Sequence, residues 1–206
     1  MNSESLTLPV PSAPSPAEAQ TEPSRRLAGD LAIWVFICAE LLAFAVFFVA
    51  YGVARSRHVD LFNAGQLTLD RNAGAINTVL LITGSWFVVQ AVARLRAGNA
   101  RASATRLLFA LACGGGFLVV KVFEYKAKFA AGISLSTDTF YMFYISLTFF
   151  HLMHVLLGMV ILILLWNSLR RGPGPTTLSS LESGAAYWHM VDLVWIILFP
   201  LVYVLR

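Results

Sequence analysis

From residue 31 onward the chain alternates five long apolar runs with short polar breaks. The runs cover residues 31–54, 75–95, 105–125, 140–166 and 185–205. Each is close to the roughly 20 residues that a helix needs to cross a bilayer. None alternates apolar and polar residues with the period of a barrel strand, so the pattern predicts helices. The breaks hold the expected turn formers, among them Asn63-Ala64-Gly65, Gly98-Asn99 and Arg171-Gly172-Pro173-Gly174-Pro175. No repeat of fixed period is visible. The predicted fold is an all-α polytopic membrane protein, a five-transmembrane-helix bundle over residues 30–206. Residues 1–29 differ: Pro9, Pro11, Pro14, Pro16 and Pro23 stand among Ser, Ala and Glu. Such a segment buries too little apolar area to offset its ordering entropy, so it reads as a disordered tail. It also lacks the basic start and short apolar core of a secretory signal.

Composition supports the same class. Of 206 residues, 58% are hydrophobic and 13% charged, with a mean hydropathy of +0.71. A soluble domain carries about twice that share of charge, so a water-covered globule is excluded. The net charge of +4 is too small to suggest a nucleic-acid partner. Its distribution instead sets an orientation. Arg25, Arg26, Arg94, Arg96, Arg101, Arg106, Arg170 and Arg171 fall on one side of the membrane. Arg55, Arg57, Arg71, Lys126, Lys128 and Arg206 fall on the other. The bias places the N-terminus inside and the C-terminus outside. Cys38 and Cys113 both lie inside apolar runs and read as small buried hydrophobes, with neither a disulfide framework nor a zinc site on offer.

An ionisable side chain inside a span is costly unless it faces the bundle interior or a partner. Glu40, Lys121, Glu124, His151, His154, His189 and Asp192 are therefore the residues that matter. At about 1.5 Å per residue, Glu40 lies roughly 14 Å, His154 roughly 18 Å and Asp192 roughly 10 Å from the inner ends of their spans. This shared band predicts a buried hydrogen-bonded cluster, with a Glu40–His154 bond across helices. His151 and His154 share one helix face, and the spacing repeats at His189 and Asp192. The histidines read as interhelical hydrogen-bond partners. Haem ligation is the rival reading, but residues three apart on one helix are too close to be both axial ligands. Glu40 is open to two readings, a hydrogen-bonded carboxyl that fixes packing or a proton-exchanging site. Lys121, Glu124 and Lys128 read as a self-neutralised helix end. Gly84, Gly158 and the run Gly114-Gly115-Gly116 suggest close helix approach. Tyr51, Tyr141, Tyr144 and Tyr187 lie near span ends, where aromatic belts form.

No phosphate-binding glycine loop, nucleophile elbow or cysteine cluster appears. The residues alone thus suggest a structural partner, with a small b-type cytochrome and a proton-coupled transporter centred on Glu40 as rivals.

Five blocks taken in order resemble subunit III of the haem–copper respiratory oxidases. They are Trp34-Val-Phe-Ile-Cys-Ala-Glu40-Leu-Leu-Ala-Phe44, Ile76-Asn77-Thr78-Val-Leu-Leu81, Glu124-Tyr125 and Phe150-His151-Leu-Met153-His154-Val-Leu-Leu-Gly158. The fifth is Glu182 followed by Tyr187-Trp188-His189-Met-Val-Asp192-Leu-Val-Trp195. The first is similar to the family helix whose membrane glutamate reacts with carbodiimide. The resemblance implies a non-catalytic subunit of the bacterial inner membrane, without haem, copper or iron of its own. It would pack on catalytic subunit I, hold phospholipid in a cleft and support proton uptake. It also implies that Glu40 and His154 form an interhelical pair, with His189 and Asp192 in the same packing. The mitochondrial type has seven helices and this chain matches the last five, so one arm of the lipid cleft is not matched. Met153 and Lys121 depart from the usual Gly and Gln. Lys121 and the segment from Lys126 to Ile133 are similar to five-helix relatives encoded beside nitric oxide reductases. The implied partner is therefore an oxidase subunit I or a nitric oxide reductase catalytic subunit, in aerobic electron transport or denitrification.

Overall fold

The computed structural model describes residues 31–205, and the 1–29 tail lies outside the described residues. Six α-helices follow one another: α1 (Leu31–Arg57), α2 (Val59–Leu67), α3 (Arg71–Arg96), α4 (Ala100–Ala130), α5 (Thr139–Arg171) and α6 (Thr177–Phe199). A π-helical turn, Pro200–Val204, extends α6. Five of these segments are long and apolar enough to cross a membrane. The protein is an all-α membrane bundle.

The helices outrun the hydropathy windows for a local reason. Asp70 accepts hydrogen bonds from the backbone N–H groups of Asn72 and Ala73, Asn99 from that of Ala102, and Asp138 from that of Tyr141. Each cap satisfies orphan donors and starts its helix before the apolar run begins. α3 and α4 close at glycines: Gly98 and Gly132 have φ of 77° and 75°, a region that strains any residue with a Cβ. One break fails. Asn63-Ala64-Gly65 lies inside α2, because Phe62 and Gln66 are buried there and the ring of Phe140 packs directly on Gly65. Tertiary contact overrides the turn propensity.

α3 and α4 form an antiparallel hairpin, and α6 packs against both α3 and α5. α6 is the most enclosed span and α1 the least. Only Ile37, Phe44 and Tyr51 of α1 are buried, at a spacing of seven that leaves one narrow seam facing the bundle. Cys38 falls off that seam and is exposed, and Cys113 is half-buried, so neither is the buried hydrophobe expected.

The glycines do not simply bring backbones together. Gly84 of α3, Gly114 of α4 and Gly158 of α5 surround the indole of Trp188 on α6. A Cβ at Gly114 or Gly158 would stand 3.0 or 3.1 Å from that ring. Gly115 faces open space. The tyrosines also depart from the belt reading. Tyr51, Tyr144 and Tyr187 are fully buried and Tyr141 nearly so, their hydroxyls turned into the bundle.

Candidate functional site

The hydrogen-bonded acids and bases of the spans form three clusters, while His151 and Asn77 stand apart. In the first, Glu40 of α1 meets His154 of α5, with Oε2 to Nε2 at 2.9 Å. The other ring nitrogen, Nδ1, lies 2.8 Å from the carbonyl oxygen of Phe150. A carbonyl only accepts, so Nδ1 carries a proton and donates it. Nε2 is then free to accept from a protonated Glu40, or is itself protonated against a carboxylate. One proton is thus shared across the α1–α5 contact. Phe44 and Phe150 pack edgewise on the His154 ring, and Tyr187 donates to the His154 carbonyl at 3.3 Å.

This geometry separates two substitutions. Glu40→Gln retains a donor for Nε2, whereas Glu40→Leu strands a largely buried imidazole nitrogen at a cost of about 1–3 kcal/mol. Thermal melts in detergent should place Glu40→Gln near the parent and Glu40→Leu clearly below it. Equal melting of the two would mean that the bond contributes nothing.

The second cluster is larger and joins α4, α5 and the π-turn. The Glu124 carboxylate accepts from Tyr144 at 2.6 Å, Tyr203 at 2.7 Å and the Lys121 ammonium at 3.0 Å. Lys121 also donates to the Tyr203 hydroxyl at 2.9 Å and is completely buried. The rings of Tyr125, Tyr144, Trp195 and Tyr203 surround its charge, with centroids 5.0–5.6 Å away. Tyr125 donates to Thr148, which donates on to the Tyr144 carbonyl. The helix-end reading is therefore corrected: the Lys121–Glu124 pair exists, but it is a core junction. Lys128 takes no part and donates to the Thr68 carbonyl instead. Tyr203 was not legible in the sequence, because it enters only through the π-turn after Pro200.

The third cluster joins α3 and α6. Ser85 Oγ stands 2.5 Å from His189 Nδ1, and the Asp192 carboxyl lies beside Ser85. Trp195 donates to Thr78 at 3.0 Å. The expectation that Asp192 joins Glu40 and His154 is corrected here. Depth is one coordinate only; Asp192 shares the band but faces α3, whereas the Glu40–His154 bond spans α1 and α5. At the arginine-rich end, Arg96 and Glu182 bond at 2.8 Å, a solvent-exposed pair worth under about 1 kcal/mol. Asn77 is fully buried, and neither atom of its amide has a partner among the described residues.

His151 also departs from expectation. It is fully buried, and neither ring nitrogen has a hydrogen-bond partner among the described residues. The rings of Phe44, Phe117 and Trp195 pack around it at 5.1–6.4 Å. The interhelical hydrogen bond expected of it is absent there, because the residue facing it from α4 is Phe117. An unpartnered buried polar group is a net cost. His151→Leu is therefore expected to be neutral or to stabilise by about 1 kcal/mol, whereas His154→Leu destabilises by a similar amount or more. Denaturant titration of the two variants compares them directly, and a large loss at His151→Leu would show that the imidazole has a partner.

These histidines do not suit an axial haem pair: both His154 nitrogens are engaged, His189 Nδ1 is held by Ser85, and His151 is walled by rings. Among the described residues no group of three or more His, Cys, Asp and Glu side chains converges to hold a metal ion. An apolar groove of about 600 Å³ runs between α1, α3 and α6, lined by Trp34, Ile37, Leu41, Val92, His189 and Leu193. Its mouth carries Arg96 and Glu182.

The fold and its polar junctions define a multi-pass helical membrane protein whose buried acids and imidazoles mainly engage its own helices. Residues 25–206 match the model of the family described as cytochrome c oxidase subunit III. The quinol oxidase subunit 3 of Bacillus subtilis is 30% identical over 93% of this chain and 93% of its own length. The cytochrome c oxidase subunit 3 of Thermostichus vulcanus is 30% identical over 91% of this chain and 90% of its own. A haem-copper oxidase subunit I+III of Aeropyrum pernix is 34% identical over 84% of this chain, which spans 22% of that longer protein. The chain belongs to the cytochrome c oxidase subunit III family, the subunit III of haem–copper oxidases.

Proposed function

We propose that the chain is the non-catalytic subunit III of an oxygen-reducing haem–copper complex of a bacterial inner membrane. In this reading it carries no haem, copper or iron of its own and grips the catalytic subunit I. The observation that supports it is the use of Glu40, His154, Lys121 and Glu124: each is bonded to another group of this chain, so they serve as joints of a scaffold. The relative named as a fused subunit I+III supports subunit I as the partner. The oxidase names of the relatives favour oxygen over nitric oxide as the acceptor. The arginine-rich end faces the cytoplasm, with the N-terminus inside. A phospholipid lies in the α1–α3–α6 groove, and the Glu40–His154 proton stays within its pair.

Affinity purification of the tagged chain from native membranes tests this. The expected result is co-purification of a subunit I and a haem spectrum that belongs to the complex and vanishes when the chain is isolated alone. A nitric oxide reductase subunit in its place would overturn the oxygen assignment. Stoichiometric haem on the isolated chain, or proton transport by liposomes holding it alone, would overturn the scaffold reading.

A further inference from the structure

The cleft where α4 begins and α5 ends is used by none of the three polar clusters. It measures about 630 Å³ and is lined by Arg101, Ala104 and Leu108 of α4 and by Trp166, Leu169 and Arg170 of α5. The Arg170 guanidinium lies 4.8 Å from the centre of the Trp166 ring. That stacking holds the charge at the cleft wall. Among the described residues no carboxylate lines the cleft, and neither Arg101 nor Arg170 has an acidic partner. Arg96, at the same end of the bundle, is by contrast bonded to Glu182.

The cleft also changes character with depth. Arg101 sits in the first turn of α4, and Leu108 lies two turns further, about 10 Å deeper along the axis. Leu108 is exposed and apolar. The cavity is therefore cationic where phospholipid headgroups lie and apolar where acyl chains begin. A soluble anion would match only the upper half. A zwitterionic headgroup would bring its own cation against two guanidiniums, with no carboxylate among the described lining residues to receive it.

We propose that this cleft binds an anionic phospholipid, its phosphate between Arg101 and Arg170 and one acyl chain along Ala104 and Leu108. The site is distinct from the groove between α1, α3 and α6 and does not rest on the identity of the catalytic partner. Each basic side chain near a membrane surface is worth about a fivefold change in affinity for anionic lipid, so the pair together gives about 25-fold.

Native mass spectrometry of the delipidated full-length chain, titrated with phosphatidylglycerol or with phosphatidylcholine of the same acyl chains, tests the site. The expected result is one retained phosphatidylglycerol at concentrations where phosphatidylcholine is lost. The R101Q/R170Q double variant should weaken that retention about 25-fold. R57Q, which removes one positive charge at the opposite end, should leave it unchanged. Equal retention of the two lipids, full retention by R101Q/R170Q, or displacement by inorganic phosphate would overturn the proposal. Should the double variant not accumulate, the parent chain decides: retention that falls steeply with salt supports the site, and retention indifferent to salt overturns it.

Discussion

Replacing Glu124 with Leu is expected to destabilise the bundle by about 3 kcal/mol or more. The substitution leaves the Lys121 ammonium fully buried with the Tyr203 hydroxyl as its one remaining hydrogen-bond acceptor among the described residues, and it strips the phenols of Tyr144 and Tyr203 of theirs. The neighbouring rings offer cation–π attraction, which offsets part of an isolated charge but does not replace a carboxylate. Lys121→Met should be similarly costly, since it leaves the carboxylate buried with two neutral donors. The two changes act on one unit, so the double variant Lys121→Met with Glu124→Leu should lose clearly less than the sum, by about 1–3 kcal/mol. Chemical denaturation in detergent across the four proteins of the cycle measures this coupling. Strict additivity would mean that the pair does not act as a unit, whatever its distance.

The second large effect belongs to Trp188. In a soluble core, Trp→Ala costs about 3–5 kcal/mol through lost transfer energy and a cavity. A membrane protein unfolds into an apolar medium, so the transfer contribution shrinks and the packing loss remains. Trp188→Ala is accordingly expected at the lower end, about 3 kcal/mol. Its indole fills the slot framed by Gly84, Gly114 and Gly158, so four helices lose contact at once. Trp188 Nε1 has no partner among the described residues, so Trp188→Phe surrenders only volume and should cost less than half as much. From the other side, Gly114→Val pushes a side chain into Trp188 and Met159 and should cost about 1–3 kcal/mol. Melting temperatures of the three variants give the order Ala below Val and Phe. A Trp188→Ala variant that melts with the parent would mean that the bundle closes over the slot without loss.

The Glu40–His154 bond was legible in the sequence because both residues are costly in lipid and lie at one depth. Asp192 lies at a similar depth yet meets a different helix, since depth along a helix says nothing about the direction a side chain faces. His151 shows the limit from the other side. It lies three residues from His154, but only the neighbouring helices decide whether its side chain meets an acceptor or, as here, the rings of Phe117 and Trp195. The roles of Tyr144 and Tyr203 are hidden in the sequence for a related reason. A tyrosine near a span end looks interfacial until the π-turn and α5 turn it inward to Glu124.

What the sequence determined by itself is the number of crossings, their order and the short inventory of groups that must find partners. These follow from the bilayer's thickness and from the cost of unpaired charge in hydrocarbon, both of which act on each segment separately. The tertiary structure alone decided which acid meets which base, why α2 is a helix and where Trp188 rests. Those outcomes depend on the rotation of each helix about its axis, and rotation is set by packing against neighbours distant in the chain.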